Sequence, residues 1–292
     1  MENKKLNELK EQIKREENKC LILGIVVSVV LFLITKSYIS IFGGIIFSII
    51  LSSVSLSSLR HEYQSEFKRI FVENTLKEYF TDLVYDSNKG LDENILSSTG
   101  MIYTGDKYQS NDFASGKYKD VNFMQADVKI DELHVTRDDK GHTKAYYVTL
   151  FLGKWMIFDF NKEFKSNVKV VTKRFEANRF SWGKKMSNVK MEDVEFNKMF
   201  AIFAENDHEA FYILTPTFME KMKNIYNKLK TPIMFCFLNN KLHIAIDNRD
   251  DSFEWNVLKP IDENKINEEI TKDIELITNF VDDLDLNNDL FK

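Results

Sequence analysis

Two uncharged apolar runs lie close together near the N-terminus: CLILGIVVSVVLFLIT from Cys20 to Thr35, and ISIFGGIIFSIILSSVSL from Ile39 to Leu56. Only Lys36, Ser37 and Tyr38 separate them. Each run falls a little short of the ~20 residues that cross a bilayer core but lies near the lower end of the range. So short a break predicts an antiparallel helical hairpin, with Lys36 snorkelling to the interface and Tyr38 anchoring there. Gly44, Ser48 and Ser52 form a small-xxx-small row that would face Gly24 and Ser28. A cleaved signal peptide fits poorly, because a long segment of mixed charge precedes the first run and no A-x-A-like site follows it. The remaining competitor is a helical hairpin buried in a globular core.

Lys4, Lys5, Lys10, Lys14, Arg15 and Lys19 precede the first run, and Arg60, Lys68 and Arg69 follow the second, whereas the connection holds one lysine. The excess of Lys and Arg on the flanks predicts both termini and the main domain in the cytoplasm of an inner-membrane protein.

From Ser57 to about Val84, Tyr63, Phe67, Ile70, Phe71, Tyr79, Phe80 and Leu83 recur at helical spacing, predicting an amphipathic stalk that SNKG at Ser87–Gly90 terminates. Strands are predicted over Lys119–Ile130, Ala145–Leu152, Trp155–Phe160, Val168–Val171, Phe200–Phe203 and Ala210–Leu214. DDKG at Asp138–Gly141 and the Gly153-Lys154 pair serve as turns. Thr215-Pro216 opens a helix with Phe218, Met219, Met222, Ile225, Tyr226 and Leu229 on its apolar side. IMFCF and KLHIAI form a hairpin around Asn239-Asn240, and a helix from about Asp262 to Val281 leads into an acidic tail. The expected organisation is a cytoplasmic N-terminal helix (1–19), a transmembrane hairpin (20–56), a stalk (57–90), an α+β domain (91–260), and a C-terminal helix and tail (261–292). Its fold class is α+β, a mainly antiparallel curved sheet or partial barrel with flanking helices.

A net charge of -5 gives no general attraction to nucleic acid. The two cysteines, Cys20 and Cys236, sit in unrelated apolar runs, which argues against a disulfide and for a reducing compartment.

The blocks GKWMIFDFNKEFK, VEFNKMFAIFAENDHEAFYILTPTFMEKM and IMFCFLNNKLHIAID together resemble a bacterial membrane-protein family catalogued as domain of unknown function 3137. The resemblance covers about residues 60–256, with the ILTPTFM helix start as its most specific piece. It implies a membrane hairpin before a cytoplasmic domain, and it assigns no activity and no catalytic residues.

Candidate chemistry is sparse. With Gly153-Lys154 as a two-residue turn, Val148 would face Asp159, and Lys162 or an Asx-type bond would satisfy that acid; a structural role outweighs a catalytic one. The Asn239-Asn240 turn sets Cys236 opposite His243, the pairing by which a thiol nucleophile is activated, although a buried core cysteine is the better reading. His134 and His142 flank the DDKG turn without a metal-binding motif, and no metal or cofactor is expected. Asp283-Leu284-Asp285-Leu286-Asn287 lacks the glycine and the terminal glutamate of a calcium loop. No phosphate-binding glycine motif occurs. Charge is more telling: Lys162, Lys165, Lys169, Lys173, Arg174, Arg179, Lys184 and Lys185 crowd one segment with Trp182 among them. Such a basic aromatic segment fits an anionic leaflet, an anionic small ligand or a solvated loop.

These features point to a membrane-anchored binding or interaction module whose partners are the bilayer, anionic lipid or a small anion, a protein, or further copies of the chain. The alternative is a cyclic-nucleotide-gated membrane effector of antiphage defence, and an enzyme using Cys236 and His243 ranks third.

Overall fold

The computed structural model describes residues 2–137, 141–160, 165–173, 186–257 and 259–287. The chain divides into two compact units.

The first unit runs through Asn74 and includes Glu254–Asn267. Helix α1 (Glu2–Thr35) is continuous through the predicted boundary at residue 20, because nothing in the sequence between its charged and apolar halves breaks a helix. Lys36 adopts φ 51° after it, and α2 (Ile39–Ser55) returns antiparallel. The small residues form the seam. Ser28 Oγ donates to the Gly24 and Ile41 carbonyls, and Ser48 Oγ to that of Cys20 at 3.1 Å. A Cβ on Gly44 would stand 2.6 Å from the Gly24 carbonyl oxygen, so the backbones approach as only small residues permit.

Helix α3 (Ser57–Phe67) continues through a π-helical turn at Lys68–Val72 into α4 (Glu73–Tyr79). Lys5 pairs with Glu62 and Glu66, and Arg60 with Glu17, so α3 lies along the charged half of α1. Trp255 stacks on Phe67 with centroids 6.0 Å apart, Gln64 Nε2 donates to its carbonyl, and Lys68 Nζ contacts Glu254 at 2.5 Å.

The second unit, Thr75–Phe253 with Glu268–Lys292, holds one sheet. Its strands are β1 (Thr81–Asp86), β2 (Lys107–Tyr118), β3 (Val121–Arg137), β4 (Thr143–Asp159), β5 (Val168–Thr172), β6 (Ser187–Val189), β7 (Phe200–Ala204), β8 (Ile233–Leu238) and β9 (Lys241–Ile246). They order as β1-β2-β3-β4-β9-β8-β5-β7-β6, every neighbouring pair antiparallel, in an open sheet rather than a closed barrel. Helix α5 (Glu93–Thr99), capped by Asp92, and the residues on either side of it bring Leu91, Leu96, Met101 and Ile102 over one face, above Ala126, Val128, Trp155, Met234 and Ala245. The other face is aromatic. Phe158 meets Phe280 of α9 (Glu263–Asp283), and Phe237 meets Phe160 and Phe218 of α8 (Pro216–Leu229). Short helices α6 (Val194–Met199) and α7 (Asp207–Ile213) flank β7.

Several expectations are corrected. The predicted stalk stops at Tyr79, because TDLVYD pairs with β2 as strand β1. Ala210–Leu214 falls in α7, a helix opened by the Asn206 side chain accepting from His208 N. Gly153-Lys154 is no turn, since β4 runs straight through it with Val128 opposite Gly153. Glycine is needed there for closeness: its φ is 156°, and a Cβ would stand 2.1 Å from the Ile246 carbonyl oxygen.

Candidate functional site

Continuous β4 gives Asp159 partners that its sequence neighbours do not supply. Direct cross-strand pairing aligns Lys117 with Asn122, and Asp159 with Lys241. Phe123 pairs with Phe158, which sets Asn122 beside Asp159. One polar row thus crosses β2, β3, β4 and β9. Asp159 Oδ1 contacts Lys241 Nζ at 2.7 Å, and its Oδ2 accepts from Asn122 Nδ2 at 2.7 Å. At the edge of the row Lys117 Nζ meets Asp82 of β1 at 2.8 Å. Burial alone would raise the Asp159 pKa, but Lys241 and Asn122 outweigh it and hold the carboxyl below its ordinary range. The predicted pairing of Asp159 with Val148 does not form, because Glu132 faces Val148; Lys162, the other expected partner, lies outside the described residues.

These residues rim a cleft of about 360 Å³. Phe123, Met124 and Ile157 supply apolar lining, Ser115 and Gly116 lie on its β2 side, and Asp82, Lys117, Asn122, Asp159 and Lys241 supply the charged and polar groups. Its volume is within the range of small-molecule sites.

Two residues further along the strands lies a buried row on the same face. Ile157 pairs with His243, His243 with Cys236, and Cys236 with Lys169. The predicted opposition of Cys236 and His243 is therefore present, but its chemistry is that of a core. Burial pushes the thiol up to about 12 and the imidazole down to about 4, so neither charged form of an activated pair exists near neutrality. The Cys236 thiol points to the Thr99 carbonyl at 3.9 Å, and His243 Nδ1 lies 3.4 Å from Trp155 Nε1. Lys169 is buried too, its ammonium 3.1 Å from the Gly100 carbonyl at the end of α5, and burial lowers its pKa.

The opposite face carries an ion network that sequence reasoning missed. Asp112, Asp127 and Asp251 bring carboxylate oxygens within 4.8 Å of one another. Asp127 and Lys154 are direct cross-strand partners. Ser252 donates to Asp127 from its backbone N at 2.5 Å and from Oγ at 2.9 Å; Tyr85 and Asn111 bind Asp112. A cation could bridge such a spacing, but the buried Lys154 ammonium already supplies a positive charge to Asp127 and to Asp273 of α9, 2.9 Å away. Burial, with Asp112 and Asp251 adding to it, raises Asp127 to about 8 against the pull of Lys154 and Ser252. Bulged strand β2, where Asp112 has φ 55°, hides this convergence in a polar stretch.

Of the basic segment, Lys162, Arg174, Arg179, Trp182, Lys184 and Lys185 lie outside the described residues. Lys165 and Lys173 flank β5, and the Lys165 backbone N donates to Glu209. Lys169, in contrast, points into the core and leaves the surface row. His134 pairs across the ribbon with Tyr146 and contacts Glu132 at 2.9 Å, so it does not face His142. Asp283 and Asp285 are engaged by Lys228 and Lys221.

No curated protein and no solved structure matches the chain. The family whose model matches is described as Protein of unknown function (DUF3137), over residues 149–286. The match begins inside β4 and includes the Asp159 end of the cleft, the buried Cys236 row and all of α9. Over that segment the chain matches the DUF3137 family.

Proposed function

We propose that the chain is a membrane-anchored binding module, with α1 and α2 as its anchor and the sheet unit as its cytoplasmic working part. The carrying observation is the exposure of apolar side chains over residues 21–54. Ile22, Leu33, Ile34, Ile39, Phe42 and Ile49 each present more than half of their surface, while Gly24, Ser28, Gly44 and Ser48 are spent on the helix seam. So large an apolar surface is unusual on a soluble monomer. Helix α1 is long and apolar enough to cross a membrane, whereas α2, with 17 residues, reaches that length only together with its bent continuation into α3. The flanking Lys and Arg excess supports cytoplasmic termini. A binding role is favoured over catalysis because the one thiol–imidazole pair is buried and uncharged. Lys165 and Lys173 fit the reading that the basic segment meets anionic headgroups.

The full-length chain should stay with membranes through alkaline extraction and float with lipid, and I25K/I46K should release it. Single cysteines in a Cys20-free and Cys236-free background give the topology: one at Ser37 should react with an impermeant maleimide from outside intact cells, and one at Ser57 should not. Extraction of the unaltered chain at high pH would overturn the anchor.

A further inference from the structure

The cleft is electrically alternating and neutral. From β1 to β9 it presents Asp82, Lys117, Asn122, Asp159 and Lys241, that is minus, plus, neutral, minus, plus. Both ion pairs are part-exposed, and such pairs hold their partners only weakly, so exchange for a ligand's charges costs little. A ligand of one net sign would leave a charge of the row uncompensated, and an uncharged one would have only the apolar lining to gain from. A zwitterion matches both. Lys117 and Asp159 stand two strand spacings apart, roughly 9–10 Å along the sheet. An extended dipeptide separates its end groups by roughly 7 Å, and a contact of about 2.8 Å at each end brings the span to roughly 12–13 Å, which the Lys117 side chain meets by leaning toward β1 as it does to reach Asp82.

We propose that this cleft binds a zwitterion of dipeptide length, its carboxylate on Lys117, its ammonium on Asp159, its centre against Asn122 and its apolar side chains on Met124 and Ile157. The binding-module reading of the sheet unit underlies this assignment; the membrane reading of α1 and α2 does not. Lys241 remains beside Asp159 and moves with the incoming ammonium, while Asp82 gives way to the carboxylate. Asp159 is held below its ordinary pKa, so the acceptor is ionised at neutral pH.

The test is titration calorimetry on the full-length chain in detergent at neutral pH with leucyl-leucine. N-acetyl-leucyl-leucine and leucyl-leucine amide serve as the singly charged controls. The free dipeptide should bind, each blocked form at least about tenfold more weakly. D159N should bring the free dipeptide down to the affinity of the acetylated form, and K117M to that of the amide. No binding of leucyl-leucine at about 10 mM, where even a weak site would register, overturns the proposal. Equal affinity for the blocked forms does the same and requires no variant to fold. Because binding is read in detergent, failure of the cleft and failure of the anchor are separate results.

Discussion

Lys154 on β4 and Asp273 on α9 stand 2.9 Å apart, with the lysine 1% exposed and its ammonium 4.9 Å from the centre of the Phe253 ring. The cross-strand partner of Lys154 is Asp127, so this one cation serves acids on two elements of the second unit. K154M keeps the aliphatic bulk but strands the Asp273 carboxylate. It should cost about 3–5 kcal/mol, the range for removing one partner of a buried ion pair. The check is chemical unfolding of the detergent-solubilised chain, where K154M/D273N should recover part of the loss and reveal the coupling.

Asp127 makes stability depend on pH in the direction opposite to an ordinary surface carboxylate. Its folded pKa is about 8 against an ordinary 3.8, so the folded state binds the extra proton. The stabilisation is complete below the ordinary value and is lost as pH rises through about 8. The groups facing it are Asp112, Asp251, Lys154 and, through that lysine, Asp273. The melting temperature should therefore fall from mildly acid to mildly alkaline pH more steeply for the native chain than for D127N. Parallel profiles would show that Asp127 does not carry the proton.

Cys236 should be inert while the sheet is intact. A thiol held near 12 and buried against the Thr99 carbonyl offers almost no thiolate at pH 8. In a C20S background maleimide should fail to label the folded chain, then react fully after denaturation. H243A should leave that protection in place, since burial rather than the imidazole sets it.

Gly153 is the most demanding position in β4. A methyl there would meet the Ile246 carbonyl oxygen and the Asn248 side chain, in a backbone conformation that L residues rarely adopt. G153A should cost about 2–3 kcal/mol through strain and displacement of β9, read as a lowered unfolding midpoint. Gly43, with open space where a methyl would stand, should accept alanine with little change.

Much was legible in local patterns. The apolar hairpin, its small-residue seam, the helix opened by Thr215-Pro216 and the Cys236–His243 register all depend on residues close in sequence. Periodicity, capping and a two-residue turn act over that range, so the sequence determines them by itself. It also determined that Asp159 stands in a run too apolar to leave an acid without a partner.

Tertiary structure decided the rest. Whether a glycine in β4 turns the chain or lets Ile246 approach depends on a strand that lies far along the sequence. Asp159 found Lys241 and Asn122 because cross-strand neighbours are chosen by sheet order, which local propensity does not encode. The Asp112, Asp127 and Asp251 cluster is the clearest case: three acids dispersed along the chain, two of them buried, become one network through a bulge in β2 and a loop after β9. Their coupling exists only at distances of a few ångströms, and the burial of Asp112 and Asp127 strengthens it; folding alone supplies both.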